Sequence, residues 1–153
     1  KAMQAPFALR AAEPAGIETV VDILERSWHA AWAPHLPAEA VTRFLRERPA
    51  RCYAAESLEA FLLAICEGRV SGVLHRTGVW IATLDVDPRF WGRGVGSALM
   101  DHAERAGARR LCVRAFNARA IRFYERRGWQ PVTRFQDTEL GAPVTTIEYA
   151  LPG

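Results

Sequence analysis

The sequence predicts an α+β fold, with a mixed central β-sheet of about seven strands flanked by four helices. Its 153 residues are about the length of one domain. Half of them are hydrophobic and 24% are charged, which is typical of a soluble globular chain. The third observation is the order of the local patterns, β-α-α-β-β-β-α-β-α-β-β. We therefore expect residues 1–153 to form a single domain, and we interpret Lys1 and Ala2, which precede Met3, as additions ahead of the natural start.

The first third of the chain predicts one strand and two helices. Phe7–Ala12 predicts a short first strand. Apolar residues recur at helical spacing over Ile17–Trp32, so a long helix is expected there. The prolines of Ala33–Pro37 interrupt that helix, and Pro37 suits the first turn of a second helix that ends at about Arg48.

Three strand-like segments come next and predict a run of antiparallel strands. They are Ala60–Cys66, Arg69–His75 and Val79–Val86. Glu67-Gly68 makes a tight hairpin between the first two, and Thr77-Gly78 separates the second from the third.

A glycine-rich turn opens the second half, where two helices alternate with strands. Trp91–Gly96 leads into an amphipathic helix that stops near Gly107. Asn117 is expected to cap a further helix, and Gly128 to stop it. The remaining predicted elements are, in order, strand Arg110–Phe116, helix Ala118–Arg127, strand Trp129–Phe135 and strand Val144–Ala150.

The charge is small overall and uneven along the chain. The net charge is +3, and of the 20 basic residues Lys1 is the only lysine. Between Asp85 and Gly128 there are ten arginines against five acids, a local excess of +5. No nucleic-acid recognition motif accompanies this charge, and no apolar run approaches the ~18 residues of a membrane span. We therefore expect neither a nucleic acid nor a membrane as a partner.

The cysteines favour a reducing compartment. Cys52, Cys66 and Cys112 are odd in number and far apart, which fits neither a disulfide framework nor a set of zinc ligands. No metal is expected, and Cys112 is expected to be buried in its strand. The bias towards arginine and alanine is typical of a GC-rich genome, so we expect a bacterial cytoplasmic protein.

The glycine-rich turn carries the sharpest chemical signal. Glycines at 92, 94 and 96 let the backbone approach a ligand closely, and the first N–H groups of the following helix are free donors for phosphate oxygens. A P-loop would need a lysine in this turn, and there is none. A dinucleotide fingerprint would need glycine at the position of Ser97.

Two blocks around this turn share one pattern. The first is Leu-Asp-Val-Asp-Pro at 84–88 followed by Trp-Gly-Arg-Gly-Val-Gly at 91–96, and the second is the segment from Asn117 to Trp129. Together they resemble the GNAT superfamily of acetyl-CoA-dependent N-acetyltransferases. The resemblance is close over Leu84–Trp129 and extends to the order of the remaining elements. It implies the GNAT fold, with acetyl-CoA as cosubstrate.

The resemblance also implies which residues bind the coenzyme. Trp91 departs from the family pattern, which has Arg or Gln there, so that its side chain supplies no charge to a phosphate. Arg93 is expected to pair with the pyrophosphate, or else to be solvated. Asn117 is expected to contact the coenzyme, or else only to cap its helix. The full predicted set is Leu84, Val86, Trp91, Gly92, Arg93, Gly94, Val95, Gly96, Ser97, Asn117 and Phe123.

The catalytic groups are predicted in part. In the family a backbone N–H at the position of Val86 binds the thioester oxygen, and a tyrosine at the position of Tyr124 protonates the thiolate; the alternative for Tyr124 is a core aromatic. Alternation places Trp80, Ala82, Leu84 and Val86 on one face of the fourth strand and Ile81, Thr83 and Asp85 on the other. Asp85 is the candidate base, directly or through water if a bulge redirects it. The base is left open between Asp85, no base at all, and His29, His75, Glu56 or Glu148.

The acceptor is predicted from the aromatic residues. Trp28 and Trp32 on the first helix, with Trp80 on the fourth strand, suggest an apolar or aromatic acceptor, although the first two also fit a core stripe. The predicted function is transfer of acetyl from acetyl-CoA to a primary amine of a small molecule, by direct attack in a ternary complex. Two alternatives stand beside it: a protein N-terminal or lysine acetyltransferase, and a non-catalytic acyl-CoA-binding module. A homodimer is left open.

Overall fold

The computed structural model describes residues 7–153, so the expectation for Lys1 and Ala2 lies outside it. Seven strands form one sheet in the order β1-β2-β3-β4-β5-β7-β6. The pairings are antiparallel except for β4 with β5, which are parallel. The strands are β1 (Phe7–Ala11), β2 (Phe61–Cys66), β3 (Arg69–Thr77), β4 (Trp80–Val86), β5 (Arg110–Arg114), β6 (Gln130–Glu139) and β7 (Ala142–Ala150). The predicted α+β class and seven-stranded mixed sheet are confirmed.

Five α-helices flank the sheet in the described part of the chain, one more than predicted. They are α1 (Ile17–Ala31), α2 (Ala38–Glu47), α3 (Pro49–Ser57), α4 (Val95–Arg105) and α5 (Ala118–Arg126). The missed helix is α3. Arg48 ends α2 in the left-handed region, at φ 49°, and Pro49 then occupies the first turn of α3. Ala54 is the one fully buried residue of α3, so this helix carries too weak an apolar pattern to be predicted.

The sheet has a hydrophobic core on each face. One core packs α4 and α5 against the sheet through residues such as Leu99, Tyr124 and Trp129. The other packs α1 and α3 through Val20, Val21 and Ala54. Burial of these apolar side chains is the main source of stability, at roughly 25 cal/mol per Å² removed from water.

A bulge in β4 changes the predicted alternation. His75 pairs with Thr83, but its neighbour Arg76 pairs with Ile81, so that Ala82 has no partner on β3. Ile81 is therefore buried in the same core as Leu84, on the α4 face, and the prediction that they lie on opposite faces is wrong.

The strands β4 and β5 separate beyond this bulge. They pair only at Trp80 with Arg110 and at Ile81 with Leu111. The edge of β4 from Thr83 to Val86 is therefore unpaired towards β5, which opens a gap in the middle of the sheet. This gap positions the site described next.

Candidate active site

A cavity of about 930 Å³ occupies the gap between β4 and β5. Two groups of residues line it. The first, which we call the loop half, comprises the turn around Gly94, the start of α4, and α5. The second, the α1 half, comprises Ser27, Trp28, Trp32, Tyr53, Thr83 and Asp85. The cavity thus brings together residues from both halves of the sequence.

The turn before α4 is shaped by glycines. Gly92 and Gly94 have φ values of +77° and +87°, in the left-handed region that favours glycine. Gly94 directly precedes the 11-residue helix α4, whose first N–H groups have no partner within the helix. Gly92, Gly94, Val95, Gly96 and Ser97 all line the cavity. The arrangement is a site for an anionic group at a helix N-terminus.

Asp87 anchors this turn to the rest of the molecule. Its buried carboxylate accepts hydrogen bonds from the Arg89 backbone N–H at 3.0 Å and from Arg26 Nη2 of α1 at 2.8 Å. The Arg89 guanidinium also donates to it. Burial alone would raise the pKa of Asp87, but these bonds outweigh it and hold that pKa far below its usual value.

Trp91 takes a role that the sequence did not predict. Its indole N–H donates to the Val86 carbonyl at 3.0 Å, so the side chain spans the turn and ties it to the end of β4. The Arg119 guanidinium lies 4.2 Å from the centre of the Trp91 ring. This cation–π contact brings a charge from α5 to the position where the family pattern has Arg or Gln.

Arginines of α5 supply the charge of the loop half. Arg119, Arg122 and Arg126 line the cavity, and none forms an ion pair with the described residues. Arg93, in contrast, turns away: its Nη2 atom pairs with Glu67 at 2.6 Å, and it does not line the cavity. The expectation that Arg93 faces a phosphate is therefore corrected, because this ion pair directs it to the surface.

Three further predicted residues, Asn117, Phe123 and Tyr124, line the cavity at α5 and its N-terminal end. Asn117 lines the cavity and also caps α5, because its Oδ1 accepts from the Ala120 N–H at 3.3 Å. Phe123 packs against Gly96, where an added Cβ would lie 3.4 Å from the ring. Tyr124 is only 8% exposed, and its hydroxyl makes no hydrogen bond to the described residues. Burial, and secondarily the charge of Asp85, raises the pKa of Tyr124 well above its usual value.

Asp85 faces the α1 half of the cavity. Ser27 Oγ donates to its Oδ1 at 2.7 Å. Burial raises the pKa of Asp85 to about 6, and the Ser27 hydrogen bond opposes this only in part. A carboxylate with a pKa near neutrality is suited to accept a proton from a bound group. Leu84 and Val86, its neighbours on β4, line the cavity as well.

Two of the three tryptophans predicted to bind the acceptor, Trp28 and Trp32, line the cavity. Trp28 stacks on Phe44 with ring centres 3.7 Å apart, and its N–H donates to Glu139 at 3.2 Å. Trp32 meets Phe116 edge to face at 6.1 Å. Trp80 does not line the cavity and is 42% exposed, because it lies before the bulge where β4 still pairs with β5. Trp80 is therefore corrected to a surface position.

Several lining residues were not predicted. Tyr53 belongs to the missed helix α3, and Glu139 lies far along the chain on β6. Cys112 was expected to be buried, but it is exposed and lines the cavity, since β4 does not cover β5 at this height. Among the other candidate bases, His29, Glu56 and Glu148 do not line the cavity.

The comparisons with known proteins agree with this geometry. Residues 17–129 match the family described as "Acetyltransferase (GNAT) family". The chain belongs to this family and is therefore an acyl-transferring enzyme. In the residues described, no group of three or more His, Cys, Asp or Glu side chains is placed to hold a metal ion. Likewise, none of the helices described combines the length and the apolar character that crossing a membrane requires.

Solved structures show the same fold over nearly the whole chain. YjaB from Escherichia coli, in its apo form, is 27% identical, with a TM-score of 0.82 over 96% of this chain and 98% of that one. A GCN5-related N-acetyltransferase from Rhodopseudomonas palustris is also 27% identical, with a TM-score of 0.73 over 99% of each chain. PaiA N-acetyltransferase from Thermoplasma acidophilum, in complex with coenzyme A, is 19% identical, with a TM-score of 0.67 over 93% of this chain and 97% of that one, and shows the fold alone.

Proposed function

We propose that this chain transfers the acetyl group of acetyl-CoA to the primary amine of a small molecule, by direct attack in a ternary complex. One observation carries the proposal. A single cavity joins the glycine turn at Gly94, the unbonded hydroxyl of Tyr124 and the carboxylate of Asp85. These are an anion site, a proton donor and a proton acceptor around one gap in the sheet.

The loop half fits coenzyme A. The free N–H groups at the start of α4 suit its pyrophosphate, and the three unpaired arginines of α5 suit its other phosphate oxygens. The unpaired edge of β4 from Thr83 to Val86 suits the amide groups of its pantetheine arm, which bond as an added strand does. Asn117 and Phe123 would line the same arm. When bound, acetyl-CoA supplies an activated acetyl thioester.

Tyr124 and Asp85 supply the proton transfers. The raised pKa of Tyr124 keeps its hydroxyl protonated at neutral pH, so it can donate to the sulfur that leaves. Asp85 accepts a proton from the attacking amine, because its pKa of about 6 leaves it mostly ionised at neutral pH. By resemblance to the family, a backbone N–H at Val86 would donate to the thioester oxygen and would stabilise the charge that develops there.

Direct transfer is favoured over a covalent acyl-enzyme. Cys112 is the cysteine that lines the cavity. Although Cys112 is exposed, partial desolvation by the cavity wall, helped by the charge of Glu148, raises the pKa of its thiol, so the nucleophilic thiolate is scarce at neutral pH. Replacing Cys112 with serine should therefore leave turnover unchanged.

The acceptor that suits the α1 half is a small aromatic or apolar amine. Trp28, Trp32, Phe44 and Tyr53 supply flat apolar surface there. Asp85 and Glu139 are the acids in the lining, but Glu139 pairs with Arg114 at 2.7 Å, so that one carboxylate is left for an ammonium group. A polycation would need more than one free carboxylate. We further propose a cytoplasmic location, since the cysteines of the described residues are free.

The acceptor is tested with a panel of three amines: benzylamine, spermidine and a short peptide with a free N-terminus. Thiol release from acetyl-CoA and the mass of the product are measured together. We expect benzylamine to have the highest kcat/KM. Preference for the peptide would favour a protein acceptor instead.

The enzyme itself is tested in the same assay. Coenzyme A that binds with no turnover of any amine would make the chain a non-catalytic binding module. An acetylated protein mass that disappears in Cys112→Ser would replace direct transfer with a covalent mechanism.

A further inference from the structure

Three side chains form a hydrogen-bonded line that leads out of the α1 half. Thr83 Oγ1 donates to Tyr53 Oη at 2.9 Å, and Tyr53 Oη is hydrogen-bonded to Nδ1 of His75. Thr83 and Tyr53 line the cavity, whereas His75 lies outside it on β3, half-buried. The other ring nitrogen of His75 lies 3.4 Å from Thr77 Oγ1, at an exposed position. The line therefore connects the cavity with the surface.

The direction of these bonds follows from the number of protons. Each hydroxyl has one proton to donate. We assign Thr83 as the donor to Tyr53, which directs the proton of Tyr53 at Nδ1 of His75 as the acceptor. His75 is then neutral and carries its own proton on Nε2. Burial lowers the pKa of His75, which keeps the ring neutral at neutral pH.

His75 forms no ion pair with the described residues, and burial is what shifts its pKa. Phe61 of β2 faces the ring with centres 5.4 Å apart, Tyr53 of α3 and Thr83 of β4 complete the line, and Thr77 lies on the same strand. Asp85 is the charged group that acts on Tyr53. A proton that reaches His75 thus meets no salt-bridge partner to trap it.

The proposed reaction needs a second route for protons. An ammonium group that becomes an amide loses two protons, of which one ends on the thiol of coenzyme A and the other must reach the solvent. The charge of Asp85 acts on Tyr124 inside the cavity, and Asp85 is hydrogen-bonded to buried Ser27 rather than to a surface group. The line through Tyr53, in contrast, connects the cavity with the surface.

We propose that Thr83, Tyr53 and His75 form a proton-exit path for the acceptor ammonium group. The proposal rests on the proposed function. One N–H bond of the ammonium breaks and its proton binds Thr83 Oγ1, while the proton of Thr83 moves to Tyr53 and that of Tyr53 moves to His75 Nδ1. The imidazolium then releases its Nε2 proton to water. The electron pair of the broken bond stays on the amine nitrogen, and no other reactant is consumed.

The test compares two amines that differ in protonation. Benzylamine is an ammonium ion at neutral pH, whereas aniline is already a free base. His75→Gln can accept the Tyr53 hydrogen bond but cannot take a proton. We expect it to lower kcat/KM for benzylamine roughly 10²-fold at neutral pH, with recovery as the pH approaches the pKa of benzylamine, and to change the rate with aniline by less than about twofold.

Matched variants separate this role from a structural one. Tyr53→Phe should give the same loss as His75→Gln. The double variant should give no further loss, because either substitution alone already interrupts the path. Thr83→Ser keeps the hydroxyl and should retain activity that Thr83→Val loses. His102→Gln, at an exposed position on α4, is the control for removing a histidine. Equal losses with aniline and benzylamine, or a loss independent of pH, would overturn the path and leave the proposed function standing.

A second measurement needs no acceptor. Nitrogen-15 NMR of the histidine rings should show His75 as the neutral Nε2–H tautomer, and Tyr53→Phe should shift its titration. A proton on Nδ1 would overturn the path even where turnover is normal. Failure of every amine to react, with coenzyme A bound, would instead overturn the proposed function and the path with it.

Discussion

The loop half of the cavity is built from short continuous segments, whereas the α1 half is assembled from side chains of separate elements. Residues 91–97 supply the glycines and the free helix N–H groups of the proposed anion site. Ser27, Tyr53, Thr83 and Asp85 come from α1, α3 and β4, and meet only because the sheet and helices pack. Backbone N–H groups and permanently charged arginines make up the loop half, whereas carboxyl and hydroxyl side chains make up the polar part of the α1 half. The two halves should therefore respond differently to substitution and to pH.

The largest expected effect lies at the boundary between the halves. Tyr124→Phe removes the proton donor and leaves the packing of the ring. We expect kcat to fall by roughly 10²–10⁴-fold, the usual range for an acid–base group, with an unchanged Kd for coenzyme A. Stopped-flow thiol release and calorimetric titration measure the two quantities. A matched rise in Kd would mean that Tyr124 is a packing residue.

The next largest effect tests whether the backbone conformation of the turn determines the affinity of the loop half for coenzyme A. Gly94→Val forces a β-branched residue to φ +87°, a strain of about 1–3 kcal/mol that the free turn escapes by relaxing and that binding of coenzyme A must restore. We expect the Kd for coenzyme A to rise about ten- to hundredfold.

Gly78→Val is the matched control, because Gly78 also has a positive φ of +60° but lies in the β3–β4 turn, where an added Cβ meets nothing. It should lower the melting temperature without changing the Kd. An equal loss of affinity in both variants would refute the assignment of the turn.

The comparison explains which parts of the site the sequence could predict. The turn, Asn117, Phe123 and Tyr124 depend on residues close together in the chain, so a spacing pattern reveals them. Arg119 was missed because its role depends on Trp91, which departs from the pattern, and on the cation–π contact between them.

Most residues of the α1 half could not be predicted from spacing patterns. Tyr53 was missed together with α3, whose burial depends chiefly on a single alanine. Trp80 was misplaced because nothing in the sequence indicates the bulge at Ala82. The bulge reverses which side chains face which side of the sheet in the part of β4 that precedes it. Strand order and strand separation likewise arise from long-range pairing, although the fold class followed from the order of local patterns.

The two halves should also differ in pH dependence, because Asp85 titrates in the α1 half and should affect kcat/KM but not the Kd for coenzyme A. Burial raises the pKa of Asp85 from its usual 3.8 to about 6, so the active carboxylate form is lost as the pH falls below 6. We expect kcat/KM to fall tenfold per pH unit there. The Kd for coenzyme A should follow one pH profile in both the wild type and Asp85→Asn. A difference between those two profiles would show that Asp85 belongs to the loop half.

The same shift predicts a change in stability. A carboxyl whose pKa is raised on folding opposes folding once the unfolded chain ionises, so its cost grows between about pH 4 and 6 and is constant above. Asp85→Asn should therefore raise the free energy of unfolding by about 1–3 kcal/mol at neutral pH and by nothing near pH 3. Urea denaturation at the two pH values checks this sign.

The smallest effect concerns two tryptophans. Trp32→Leu should raise the KM for benzylamine about two- to tenfold, because one aromatic contact is worth about 0.5–1.5 kcal/mol. Trp80→Leu, at the surface, should leave that KM unchanged. Initial rates over a range of amine concentrations measure both, and a larger effect at Trp80 would mean that the acceptor binds elsewhere.

The central claim is that the two halves bind acetyl-CoA and an amine together, so that the acetyl group passes directly from one to the other. It is tested most directly by incubating the protein with carbon-13 acetyl-CoA and benzylamine, and following thiol and amide in one sample by NMR. We predict one amide for each thiol released, with both slowed equally in Tyr124→Phe. Thiol released without amide, or label retained on the protein, would contradict the claim.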